Sequence, residues 1–195
     1  MDQLYLSNTD LEKLAKLQND ILVSITAEDL NTHSISFGNI LVVSDTHTLE
    51  IDNNYRLVKY FNDIDELAGY KINDLKSRNN FKPVVQPDHL DTKIINQKID
   101  SIRVIRDNIR LDYGNKIDKY VIDNAIILEL TDTDLLIGQT GFFSPVSKII
   151  FDKDAINQYY TTTDIKDDWV DDDFEERGLS HPRYQVYVDR EIIEI

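Results

Sequence analysis

At 195 residues the chain suits one domain or two small ones that share a core, and it can bury roughly 70% of its unfolded surface without covalent staples. The absence of cysteine excludes disulfides and thiolate metal sites, and a net charge of −15 repels nucleic-acid phosphate and anionic lipid, disfavouring both as partners. No apolar run approaches the ~20 residues of a membrane span, and Met1–Ser7 lacks the basic and apolar regions of a signal peptide, so a soluble, cytoplasmic protein is expected.

In chain order, Ser7-Asn-Thr-Asp10 offers an N-cap, and Leu11, Leu14, Leu17 and Ile21 fall at helical spacing, predicting an amphipathic helix from about Thr9 to Asn19. Ile21–Ile25 is rich in β-branched residues and reads as a strand, and Ser34–Phe37 alternates as a strand does. Ile40–Ile51 reads as strand, polar turn and returning strand. A turn is expected at Asp52–Asn54, a strand at Tyr55–Phe61 and a short helix within Asn62–Leu75. Pro83 and Pro87 bracket the expected seam between a half at 1–86 and a half at 87–195.

Beyond the seam, Asp88–Gln97 reads as a helix. Over Ile99–Tyr113, Ile95, Ile99, Ile102, Ile105 and Ile109 would line one helical face, while Ile102 with Val104 and Ile109 with Leu111 suit strands; periodicity alone leaves both open. Self-similarity favours strands. Ser24-Ile25, Phe37-Gly-Asn39 and the ribbon Ile40–Ile51 are followed in the same order by Ser101-Ile102, Tyr113-Gly-Asn115 and the ribbon Ile127–Ile137. This comparison predicts two strands within Ile102–Tyr113, an inserted segment at Lys116–Ala125 and an internal duplication. Val146–Phe151 reads as a strand, Asp152–Tyr160 as a short helix, Asp164–Arg177 as an acidic helix, and Tyr184–Ile195 as a terminal strand or hairpin. The fold class expected is α+β: mostly antiparallel sheet, peripheral helices and two similar β-rich halves.

Two stretches carry functional suggestions. Ile40-Leu-Val-Val-Ser-Asp-Thr-His47 resembles the first block of calcineurin-like metallophosphoesterases, in which a buried strand ends in Asp-x-His. The resemblance implies Asp45 and His47 as metal ligands in two-metal phosphoester hydrolysis. It covers about eight residues, and the family's Gly-Asp, Gly-Asn-His and His-x-His elements are absent from the chain. Turn chemistry accounts for Asp45 without a metal, because Asp bonds its own backbone in turns, and the hairpin turn is the reading adopted. No nucleophile elbow, phosphate-cradling loop or complete calcium loop is present, so no catalytic residue, metal or cofactor is assigned.

The second stretch, Asp164–Arg177, carries eight acids and two bases, a net of −6, around the only Trp. One use is a solvated amphipathic helix pinned by Trp169. Another is a docking face for a basic protein, formed by Asp167, Asp168, Trp169, Asp171, Asp172, Asp173, Phe174, Glu175 and Glu176, in which carboxylates steer and aromatics anchor, and a third is a divalent-cation site. The expectation is a non-enzymatic interaction protein of a bacterium or phage, of inhibitor, immunity or nucleic-acid-mimic type. The alternatives are the phosphoesterase and a structural oligomer subunit.

Overall fold

The structure is a computed structural model and describes residues 4–30, 35–60, 63–141, 144–167 and 185–195. It is α+β and mostly antiparallel sheet. Helix α1 (Asn8–Ala15) precedes β1 (Ile21–Glu28), β2 (Ile35–Phe37), β3 (Ile40–Ser44), β4 (Thr48–Tyr60) and β5 (Asp63–Asp74). After single 3-10 turns at Arg78–Asn80 and Pro87–His89 come β6 (Leu90–Asp112), β7 (Ile117–Leu130), β8 (Asp134–Gln139) and β9 (Val146–Phe151), a 3-10 turn at Ala155–Gln158, helical residues 162–167 and β10 (Gln185–Glu194). The strand order is β2-β9-β8-β7-β6-β1-β3-β4-β5, with β10 paired to β6. Among the described residues no helix is long and apolar enough to cross a membrane.

Strand pairing repeats almost residue for residue. Leu22 pairs with Ser44 and, after a bulge, Ser24 with Val43; Ile99 pairs with Leu130 and, after a bulge at the same place, Ser101 with Glu129. Ile51 opposite Ile72 and Asn53 opposite Tyr70 match Ile137 opposite Ile149 and Gln139 opposite Ser147. Thus β1, β3, β4 and β5 have β6, β7, β8 and β9 as counterparts, and the turn at Arg78–Asn80 has that at Ala155–Gln158. The two units join antiparallel through β1 and β6, where Ile21 pairs with its own counterpart, Lys98. That is the register of a two-fold axis.

Each unit also carries one hairpin longer than its counterpart: β4–β5 in the first, β6–β7 in the second. The main core holds Ile25, Ile40, Ile51 and Ile72 of one unit against Ile102, Leu128, Ile137 and Ile149 of the other, with Leu14 and Leu17 closing one side. The two long hairpins form a second cluster, in which Val58 and Leu67 meet Ile109, Leu111 and Ile122, together with Leu4 and Val186. Between the units a buried polar seam joins counterparts. Gln139 Nε2 donates to Asn53 Oδ1 (3.1 Å) and Asn53 Nδ2 to Ser147 Oγ (3.1 Å). Burial pushes the phenols of Tyr70 and Tyr159 above their ordinary range, so both remain neutral donors in this seam.

Helix α1 starts where the sequence indicates, with Ser7 as N-cap and Asp10 completing a capping box. It also covers a sheet edge. Asp10 Oδ1 accepts the Ile72 N–H (3.2 Å) and Lys13 Nζ donates to the Ile72 carbonyl (2.6 Å), occupying the groups that β5 would offer to another strand.

Several expectations are corrected. Asp88–Gln97 is not a helix: one 3-10 turn leads into β6, whose first half pairs with β1. Ile102–Tyr113 is not two strands but the second half of β6, and Lys116–Ala125 is no insertion but part of β7. Asn62–Leu75 holds β5 rather than a short helix, and Asp52–Asn54 lies inside β4 because Asn53 is spent on the buried seam. The two ribbon tips each contain Asp-Thr, Asp45-Thr46 and Asp132-Thr133, but an expected match between these pairs is displaced by one residue. Ser44 N–H donates to the His47 carbonyl and Leu130 N–H to the Thr133 carbonyl, so Asp45-Thr46 matches Thr131-Asp132 and His47 matches Thr133. Phe37-Gly-Asn39 and Tyr113-Gly-Asn115 are not counterparts either. Gly114 (φ +82°) turns the β6–β7 hairpin, whereas Gly38 (φ +75°) joins β2 to β3.

Candidate functional site

The turn at Asp45–Thr46 lies beside the start of β1. Asp45 Oδ1 accepts the Ile21 N–H (3.0 Å) and its own N–H donates to the Ile21 carbonyl (3.0 Å), so this side chain closes the joint between hairpin and strand. His47 turns instead to Asp20, with Nδ1 2.8 Å from Oδ2. The same Asp20 oxygen accepts the hydroxyls of Ser44 (2.6 Å) and Thr46 (2.6 Å). Asp45 and His47 thus serve different partners. Ser44 donates to the carboxylate rather than to the imidazole, which is not the relay that activates a serine nucleophile. Among the described residues no group of three or more His, Asp or Glu side chains is placed to hold a metal ion.

Asp20 is the residue of this cluster that sequence inspection missed, since it lies 24 residues before Ser44 and carries no motif. Burial acts to raise its carboxyl, but hydrogen bonds from Ser44, Thr46 and His47 outweigh this and hold it below 3.8. A depressed folded-state value contributes stability above the unfolded value of about 4 that is lost as pH falls through the folded one. Asp20→Asn is therefore expected to lower the midpoint of thermal unfolding at pH 7 and to flatten its decline below about pH 4. Parallel curves for the two proteins across the acid range would contradict this.

The acidic stretch begins on a firmly held frame. Tyr159 is buried with its hydroxyl between the carbonyls of Asn124 (2.8 Å) and Gln139 (2.9 Å), and Tyr160 donates to the Thr140 carbonyl. The Tyr160 carbonyl accepts from Arg190 Nη1 (2.5 Å). Thr161 then caps helical residues 162–167. Its Oγ1 accepts the Asp164 N–H (3.2 Å) and its own N–H and hydroxyl reach Asp164 Oδ2 (both 2.8 Å). These bonds, the backbone one foremost, hold the exposed Asp164 carboxyl below its ordinary value. Ile165 turns into the protein, while Asp164, Lys166 and Asp167 face solvent. Of the residues expected to dock a partner, Asp167 is thus exposed on these helical residues. Asp168, Trp169, Asp171, Asp172, Asp173, Phe174, Glu175 and Glu176 lie outside the described residues.

The ends of the chain are fastened by two buried ion pairs that no local motif announces. Arg106 binds Asp123 through Nε–Oδ1 (2.6 Å) and Nη2–Oδ2 (2.8 Å), and Asp123 also accepts the Leu6 N–H (2.7 Å). Arg190 of β10 binds Asp107 of β6 through two bonds of 2.9 Å, with Asn124 Nδ2 as a third donor at 2.6 Å. Both carboxylates are wholly buried. They lie where the repeated part of the second unit passes into its elongated hairpin. Only the charge of these four residues was legible beforehand; their pairing depends on contacts across 17 to 83 positions.

Beyond this joint, β10, β6 and β7 form a cleft of about 540 Å³, lined by Asn108, Arg110, Lys119, Val121, Tyr187 and Asp189 among others. No protein-family model matches the chain. No solved structure matches its fold.

Proposed function

We propose that this chain is a non-enzymatic acidic interaction protein that binds a basic protein partner through the stretch 164–177. The observation that carries the reading is where that stretch starts. Eight acids and two bases follow a capped helix start whose Ile165 is buried and whose carboxylates face outward, and the chain returns to the sheet at Gln185. Dense like charge held near a rigid body steers a cationic partner at long range, and the Trp and Phe within it supply apolar anchors for the final contact. A bacterial or phage inhibitor, an immunity protein or a mimic of nucleic-acid charge would each use such a surface. The side-chain roles at Asp45 and His47 give the phosphoesterase alternative no support.

The test is a low-salt pull-down with the full chain, followed by association kinetics on each basic protein retained. Changing Asp171, Asp172 and Asp173 together to Asn is expected to slow association roughly tenfold and to flatten its salt dependence, with dissociation little altered. Retention of no basic protein, or kinetics indifferent to the triple substitution, rejects the proposal.

A further inference from the structure

The cleft on β10, β6 and β7 lies in the part of the second unit that has no counterpart in the first. Its floor is two rows in direct register across three strands. Tyr187, Arg110 and Lys119 form one row, and Asp189, Asn108 and Val121 the next. Several cations on this acidic protein surface are matched, Lys16 with Asp74, Lys98 with Asp100, Arg103 with Glu129, Lys116 with Asp118 and Lys153 with Asp134; what sets the cleft apart is two cations on adjacent strands in one row. Arg110 and Lys119 stand side by side with no carboxylate partner among the described residues. The Arg110 guanidinium lies over the Tyr187 ring, 4.1 Å from its centroid, and Tyr187 is steadied by its hydroxyl donating to Gln185 Oε1 (2.5 Å). Stacking of this kind orients the guanidinium plane and leaves its N–H edge available to an oxyanion.

We propose that this cleft binds a small phosphate monoester with a hydroxylated body, of the sugar-phosphate class. Two cations on adjacent strands, whose backbones run about 4.8 Å apart, can share the oxygens of one dianionic group. A carboxylate would be satisfied by Arg110 alone. The row behind them discriminates further. Asp189 repels a second phosphate and accepts from a hydroxyl, while Asn108 can donate or accept. The cleft is larger than a bare phosphate requires and falls within the range of small-molecule sites, about 300–1,000 Å³.

The test is titration of the full chain with ribose 5-phosphate, inorganic phosphate, ribose and citrate, followed by amide NMR shifts and calorimetry. Saturable binding of ribose 5-phosphate is expected, with shifts centred on Arg110, Lys119 and Tyr187, several-fold tighter than inorganic phosphate and with none for ribose. Lys119→Gln, an exposed change that leaves the fold intact, and Arg110→Gln are each expected to weaken binding about tenfold. Lys93→Gln, which removes a cation stacked on Phe151 elsewhere, should leave it unchanged. Absence of saturation by about 10 mM, an affinity weaker than roughly 3 kcal/mol of binding, overturns the proposal. So do undiminished binding in folded Lys119→Gln and citrate binding as tightly as the phosphate ester. Residues 164–177 are untouched throughout, so this outcome is separate from that of the partner pull-down.

Discussion

Replacing Asp107 by alanine is expected to lower the free energy of unfolding by about 3–5 kcal/mol, because it removes one member of a buried ion pair and leaves the other without compensation. Asp107 receives three hydrogen bonds, two from Arg190 and one from Asn124, and has no exposed surface. Arg190 cannot turn to water cheaply, since a third nitrogen of its guanidinium is held on the Tyr160 carbonyl. The consequence should be local as well as global. Among the described residues β10 pairs with the sheet only through β6, so its amides from Val186 to Ile193 should exchange hydrogen faster than those of β7 in the variant. Urea unfolding followed by far-ultraviolet circular dichroism gives the global value. The double change Asp107→Leu with Arg190→Met should recover much of the loss, because removing both charges abolishes the desolvation penalty along with the attraction. A loss below about 1 kcal/mol in Asp107→Ala would mean that water reaches the stranded guanidinium.

Gly138→Ala should be nearly as damaging, for a steric reason. A Cβ at Gly138 would lie 2.4 Å from Cε2 and 2.6 Å from Cζ of Tyr159, closer than any packed carbon pair tolerates. The ring has nowhere to go. Tyr159 is 5% exposed and its hydroxyl is fixed between two backbone carbonyls. Overpacking of a rigid core costs about 1–3 kcal/mol and occasionally more, and this site belongs at the upper end. The decisive measurement is a double-mutant cycle with Tyr159→Leu. In that background the alanine penalty should fall below about 1 kcal/mol, since the colliding ring is gone. An undiminished penalty would place the strain in the β8 backbone instead of at the ring.

How much of this was legible beforehand varied with the kind of interaction. Helix α1, the strands at Ile21, Ile40 and Val146, and both polar-tipped ribbons follow from capping residues and β-branched runs, which are local signals. β6 misleads because bulges break its alternation. From Ile94 to Gln97 it has one residue more than β1 has from Leu22 to Ser24, and from Ile99 to Ser101 it again has one more than β7 has opposite. Each extra residue stretches the spacing of inward side chains from two toward three or four, and Ile95, Ile99 and Ile102 then imitate a helical face. The asparagines of β4 misled for another reason. Asn53 resembles a turn former but faces Gln139 and Ser147, partners more than 80 positions away. Pairing across a strand or between elements, from 9 positions for Arg110 and Lys119 to 83 for Asp107 and Arg190, likewise hides Asp20, Asp107, Asp123 and the Arg110–Lys119 pair, none of which stands in a recognisable pattern. The acidic stretch was visible because charge density is a local property.

The β1–β6 junction has a further consequence. A strand pairing with its own counterpart, Ile21 with Lys98, and a seam in which Asn53 meets its counterpart Gln139 together have the form of a closed homodimer whose two subunits are joined in one polypeptide. In such a molecule the former subunit interface becomes core, and neither half must remain a copy of the other. One subunit can then keep the scaffold while its twin lengthens a hairpin, adds a strand and acquires a cleft, a division of labour closed to a true symmetric pair.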